Sequence, residues 1–253
     1  MSTYAVSDLH GHYNLFLRGL KEIAFSDDDY LWCLGDAIDR GPDGIKILEH
    51  IMKHNNMDML IGNHECMMLN SVSATGKAIA NGDDANLWLN YNGGDLTFLQ
   101  YEELFDEERI ELLNWLRNRY VIKTLTVNDQ DFCLTHSFYH SNCENKTFNE
   151  LSYYEVWRIT WASIWRHDPD THAEDIYPDY PYNFILGHVP VHRIRESIDR
   201  DENWNRLKAY HHNNVVNIDG GCGMGFNGFD NGAIFLRLDD MKEFGVRFEN
   251  AGE

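Results

Sequence analysis

The chain has 253 residues, 43% hydrophobic and 25% charged, enough to bury a sizeable core. Its 41 acidic against 21 basic residues give a formal charge of -20, which argues against nucleic acid or an anionic membrane surface as partner, because both are gripped through Lys and Arg. Five scattered cysteines without a Cys-x-x-Cys pair exclude a zinc-finger or redox motif and fit a reducing, cytoplasmic setting, and neither a secretory leader nor a membrane-spanning apolar run is visible.

Tyr4–Ser7 predicts a short strand, Leu15–Ile23 a helix with Leu15, Leu20 and Ile23 at helical spacing, and Tyr30–Leu34 a second strand. Pro42 suits a first helical turn, and Ile45, Ile47, Leu48, Ile51 and Met52 continue that helix. Met57–Ile61 predicts a third strand, so the opening third reads as βαβ units with a largely parallel sheet. Residues 70–98 are irregular and rich in Gly, Asn and Asp, with a turn at Asn92-Gly93-Gly94. Asp106 predicts an N-cap; Ile110, Leu113 and Leu116 share a helical face, and Arg117 and Arg119 suit the negative end. Further strands are predicted at Tyr120–Val127, Asp131–Thr135, Phe184–Leu186, Val215–Ile218 and Ala233–Leu238. Between them, Trp157, Trp161 and Trp165 recur every four residues, as on a helix core face, and Asp168–Pro181 reads as a long loop. The expectation is one α/β domain over residues 1–253 containing two sheets, with loop insertions near 70–98 and 138–183; a monomer is the default.

The informative pattern lies at the end of each apolar run. The predicted strands lead into Asp8-Leu9-His10-Gly11, Gly35-Asp36, Gly62-Asn63-His64-Glu65, His136, Gly187-His188 and Asp219-Gly220-Gly221. Ligands of open α/β sheets bind beyond the carboxyl ends of the strands. Carboxylate, imidazole and amide oxygen without thiolate make a hard or borderline metal site. Two cations a few ångströms apart would let Asp36 bridge them and would compensate its burial. Asp219 alone reads better as a turn residue.

Asp8-Leu9-His10-Gly11, Gly35-Asp36-x-x-Asp39-Arg40-Gly41 and Gly62-Asn63-His64-Glu65 resemble the three signature blocks of the calcineurin-like metallophosphoesterases, in family order and spacing. They look most like the phosphoprotein phosphatase branch and its small bacterial and phage members, as does Leu87–Gly94. The resemblance covers Tyr4 to Gly223 and implies a two-sheet β-sandwich flanked by helices. It implies that Asp8 and His10 hold a first metal, that Asp36 bridges, and that Asn63, His136 and His188 complete the second. His64 would be the general acid oriented by Asp39, and Arg40 the phosphate clamp. Two cations about 3.5–4 Å apart would activate a bridging water for in-line attack on phosphorus. Manganese is expected from the oxygen and nitrogen ligands, with iron or zinc as alternatives.

The branch also implies a second phosphate-binding arginine after a tryptophan. Arg166, after Trp165, is the candidate, and Arg158, after Trp157, its rival. His12, His50, His54, His140, His167, His172, His192, His211 and His212 read as surface or loop residues, with His12 close to the site through its motif. The expected activity is phosphomonoester hydrolysis, foremost on phosphoserine or phosphothreonine in a protein or peptide, with dual specificity for phosphotyrosine as an option. A symmetrical diadenosine tetraphosphate hydrolase acting on a small phosphoester is the first alternative. A silent phospho-ligand binding module is the second, and the intact His64, Asp39 and Arg40 speak against it.

Overall fold

The computed structural model describes residues 1–82, 84–165 and 177–249. β1 (Thr3–Val6), β2 (Tyr30–Cys33) and β3 (Met57–Met59) run parallel, connected through α1 (Tyr13–Glu22) and α2 (Gly44–Lys53). Parallel central strands are covered on both faces and therefore read as continuous apolar runs; Ala5, Val6, Leu31 and Cys33 are fully buried. The helices contribute one apolar face each, Leu15 and Phe16 from α1 and Ile45, Leu48 and Ile51 from α2. Pro42 lies just ahead of α2, whose N-cap is Asp43, so the first turn starts two residues later than its proline suggested.

β9 (Gly232–Arg237) and β10 (Lys242–Arg247) extend this sheet antiparallel, giving the order β10-β9-β1-β2-β3. The second sheet runs β4-β5-β6-β8-β7, built from β4 (Ile122–Val127), β5 (Gln130–Thr135), β6 (Asn183–Leu186), β7 (Tyr210–His212) and β8 (Val215–Asn217). β5, β6 and β8 are mutually parallel, and β4 and β7 close the edges antiparallel. The fold is thus the expected α/β arrangement of two sheets flanked by helices, and the buried apolar side chains of both sheets form one continuous cluster. Each sheet aims three parallel carboxyl ends at the same rim.

Three predicted features change. The irregular stretch 70–98 contains α4 (Ala85–Tyr91) and the start of α5 (Gly94–Glu103), separated by the Asn92-Gly93 turn with Gly93 at φ 75°. Its helical signal is weak because α4 buries only Ala85 and Trp88 and α5 only Gly94, Thr97 and Tyr101, too few apolar side chains to mark a period. Asp106 is not the N-cap: Phe105 is, with Glu108 accepting from the Phe105 N–H at 2.8 Å, and Asp106 opens α6 (Asp106–Arg117). The tryptophan stripe is not a core face either. α7 (Tyr153–Trp161) ends before Trp165, Trp157 is exposed, and Trp161 and Trp165 line a cleft at the rim.

Candidate metal centre

The rim is built from strongly bent strand ends. Asp8, His10, Asp36, Asp39, Arg40 and His188 all have positive φ, between 44° and 70°. Non-glycine residues adopt this region only where the surroundings enforce it. Here the β1 and β2 ends enforce it on each other, through Asp8 N–H to Gly35 O at 3.1 Å, His10 N–H to Asp36 O at 2.9 Å and Gly11 N–H to Ala37 O at 2.8 Å. Gly187 leaves no room for a side chain: a Cβ there would collide with Ser7 Oγ and Asp8 Oδ2.

α3 (Asn63–Ser71) starts directly after β3 and points its N-terminus at the site. Buried Glu65 fastens this corner, accepting from the N–H groups of Asp36 (2.9 Å), Ala37 (2.9 Å) and Gly62 (3.0 Å). Burial, reinforced by the Asp36 charge, pushes its pKa up to about 7. His64 N–H in turn donates to Asp36 Oδ1 at 3.0 Å.

Asp36 lies at the centre. Its Oδ2 is 3.5 Å from His136 Nε2 and 3.8 Å from both His10 Nε2 and His64 Nε2. His136 Nδ1 is held by Leu34 O at 2.8 Å and His10 Nδ1 by Ile38 O at 3.1 Å, contacts that only an N–H can satisfy. Fixing that nitrogen leaves the Nε2 lone pair for a cation, as second-shell carbonyls do in metal sites. Asn63 Oδ1 lies 3.0 Å from both His136 Nε2 and His188 Nδ1. Asp8 Oδ2 accepts from the His188 N–H at 2.9 Å and from Ser7 Oγ. The sets His10, Asp36, His64 and Asp36, His136, His188 each place one ligand atom per residue within 4.8 Å of the others.

The electrostatics favour a cation. Burial raises the Asp8 pKa to about 6. Asp36 stays well below the usual carboxylate range despite its burial, because the His136 and His64 charges face it. Burial works against the His136 imidazolium, yet Asp36 carries its pKa up to about 10. The field that draws positive charge to His136 beside Asp36 is the one a cation would satisfy. Donor set, tautomers and buried charge all fit divalent metal.

Beside this cluster, His64 Nδ1 meets Asp39 Oδ2 at 2.6 Å. Burial disfavours the His64 imidazolium, but Asp36 and Asp39 outweigh it and raise the pKa. Trp88 Nε1–H donates to the same Asp39 oxygen at 2.9 Å, and Asp39 N–H is held by Thr97 Oγ1 at 2.9 Å. Arg40 reaches across the mouth, Nη1 3.1 Å from His10 Nε2 and Nη2 3.0 Å from His64 Nε2.

The structure therefore gathers Asp8, His10, Asp36, Asp39, Arg40, Asn63, His64, His136 and His188 at one rim. Arg166 lies outside the described residues, as do His167 and His172. Arg158 does not reach the rim: its guanidinium lies over the Phe138 ring, 5.3 Å from the centroid. Asp219 holds its turn as expected, accepting from Gly221 N–H at 2.8 Å, and also lines the cleft. Two histidines expected at the surface are buried, His12 against Phe248 and His192 with Nε2 2.9 Å from Asp230 O. Sequence reasoning missed the supporting roles of Glu65, Trp88 and Thr97. Only Glu65 carried a local signal, its place in the third block.

A family model described as calcineurin-like phosphoesterase matches residues 1–218. A Nitrosomonas europaea protein named bis(5'-nucleosyl)-tetraphosphatase, symmetrical, is 25% identical over 97% of this chain and 98% of its own length. A Buchnera aphidicola protein of the same name is 33% identical over 49% of this chain, and the match spans only 40% of that relative's length. A crystal structure of a provisionally assigned diadenosine tetraphosphatase shares the fold with a TM-score of 0.59 at 14% identity, over 98% of this chain and 94% of that one.

Proposed function

This chain belongs to the calcineurin-like phosphoesterase family, and from that premise we propose that it is a metal-dependent hydrolase of dinucleoside 5'-tetraphosphates, cleaving symmetrically to two nucleoside diphosphates. The observation that carries this reading is the end-to-end likeness to the Nitrosomonas europaea relative. A cleft of about 600 Å³, walled in part by Trp161 and Trp165 and reaching the Asp36 cluster, suits a small phosphoester with aromatic bases. The relatives' shared name favours this reading over the phosphoprotein substrate that the signature blocks alone suggested.

In the proposed mechanism Asp8, His10 and Asp36 would hold one divalent ion, and Asp36, Asn63, His136 and His188 would hold the other. Manganese is the metal we assign, with iron and zinc as alternatives. When bound, the pair supplies Lewis acidity at phosphorus and a water that ionises near neutral pH. Arg40 swings from its two imidazole contacts to clamp two phosphoryl oxygens, which its planar fork does better than Lys. His64, oriented through Nδ1 by Asp39, delivers a proton from Nε2 to the departing oxygen. Neutral Asn63 in place of a carboxylate leaves the site net positive toward an anionic substrate.

The test is a comparison of kcat/KM on bis(5'-adenosyl) tetraphosphate and on a phosphoserine peptide, with manganese and with analysis of the nucleotides released. We expect the tetraphosphate to be preferred and ADP to be the sole nucleotide product. A preference for the peptide, or release of AMP with ATP, would reject the reading.

A further inference from the structure

A tetraphosphate brings negative charge on every phosphate into a protein of net charge -20. The metals and Arg40 compensate the reacting phosphate; the others need a separate cation. The cleft offers one. It continues from His188 past Val189 and Pro190 to Arg193. Arg193 is exposed, and among the described residues its guanidinium takes part in no hydrogen bond, ion pair or ring contact.

The turn that carries Arg193 is fixed in place. The helical turn Val191–Ile194 buries Val191, His192 and Ile194 and leaves Arg193 facing outward. It continues into a π-helical turn, Arg195–Asp199, a form often found at functional sites. Val191 N–H is tied to Asp219 O at 2.9 Å. Buried Arg195 donates to the carbonyls of Arg206 (3.0 Å), Lys208 (2.6 Å) and Ala209 (2.8 Å). An unpaired guanidinium on an anchored turn is preorganised for an anion.

A second donor stands in the same cleft. Trp165 is 6% exposed, packed edge-on against Tyr210, and among the described residues its buried Nε1–H has no acceptor. A buried N–H without a partner is costly, and Trp165 belongs to the lining of the same cleft.

We propose that Arg193 and the Trp165 N–H form a subsite for the phosphates beyond the one being cleaved, making Arg193 the residue that selects polyphosphate over monophosphate ligands. This rests on the hydrolase reading above.

The test is titration calorimetry of the manganese-loaded full chain with ADP and, separately, with inorganic orthophosphate. Arg193→Ala should weaken ADP about tenfold and leave orthophosphate within about twofold. Arg193→Lys should recover part of the loss, and Trp165→Phe, which keeps the ring, should weaken ADP about threefold. Four outcomes would overturn the subsite: no ADP binding by the wild type, ADP binding unchanged in Arg193→Ala, loss of ADP and orthophosphate in equal measure, or no loss in Trp165→Phe. A wild type that binds ADP through Arg193 yet does not split the dinucleotide would sink the function proposed above and leave the subsite standing.

Discussion

Asp39 shows how much one buried carboxylate does here. Its Oδ2 receives both His64 Nδ1 and the Trp88 indole N–H, while its Oδ1 has no partner. The Trp88 contact fixes the carboxylate, and the carboxylate fixes the imidazole. Trp88→Phe keeps most of the packing and removes one hydrogen bond, so kcat should fall about fivefold with KM unchanged, measured under saturating metal. His64→Asn removes the proposed proton donor itself. General acid catalysis is worth more as the leaving group becomes more basic. The substitution should therefore cost roughly 10²-fold or more in kcat on an alkyl phosphate and clearly less on a dinucleoside tetraphosphate, whose nucleoside diphosphate departs easily. Equal losses on both substrates would contradict the acid role. Asp39, His64 and Arg40 were legible from their blocks. Trp88 was not, because its N–H meets Asp39 from 49 positions away.

The element that assembles the rim is the β2–β3 corner. Glu65 binds three backbone N–H groups there, two from the end of β2 and one from the start of α3. Glu65→Gln replaces one accepting oxygen by an NH2 group facing donors in a buried pocket. The expected loss is about 2–3 kcal/mol of unfolding free energy, read by urea denaturation. Gly187 plays the matching part after β6. Gly187→Ala would press its methyl against Ser7 and Asp8, so we expect weaker metal binding by calorimetry together with lower stability. The six site-bearing strands were legible because buried parallel strands are continuous apolar runs. β7 and β10 were not: they are short or alternate with charged residues at the sheet edges, where one face meets water. α4 and α5 were hidden for the related reason that they cover the site with few fully buried residues.

Across the molecule, the candidate metal centre draws its residues from both sheets. Asp8, His10, Asp36 and Asn63 follow strands of the first sheet, and His136 and His188 follow strands of the second. His136 Nδ1 meets Leu34 O and the His188 N–H meets Asp8 across that junction. A cation held from both sheets binds only the folded chain and stabilises it by mass action, about 2.7 kcal/mol at a hundredfold excess over Kd. Chelation should therefore lower the melting temperature by several degrees, and manganese should restore it, followed by scanning calorimetry. An unchanged melting temperature would show that no metal bridges the sheets.

The order of residue types along the chain determined which candidate side chains end up at the rim, because apolar runs that end in Gly, Asp, Asn and His encode their strands and their rim locally. It also settled the acidic surface and the parallel strand arrangement of the opening third. Only folding decided that Trp161 and Trp165 line a cleft as well as packing with the core, that Trp88 restrains Asp39, and that Arg193 lines the cleft with no partner among the described residues. Those facts depend on which distant segments meet at the rim, and contacts between distant segments leave no periodic trace in either one.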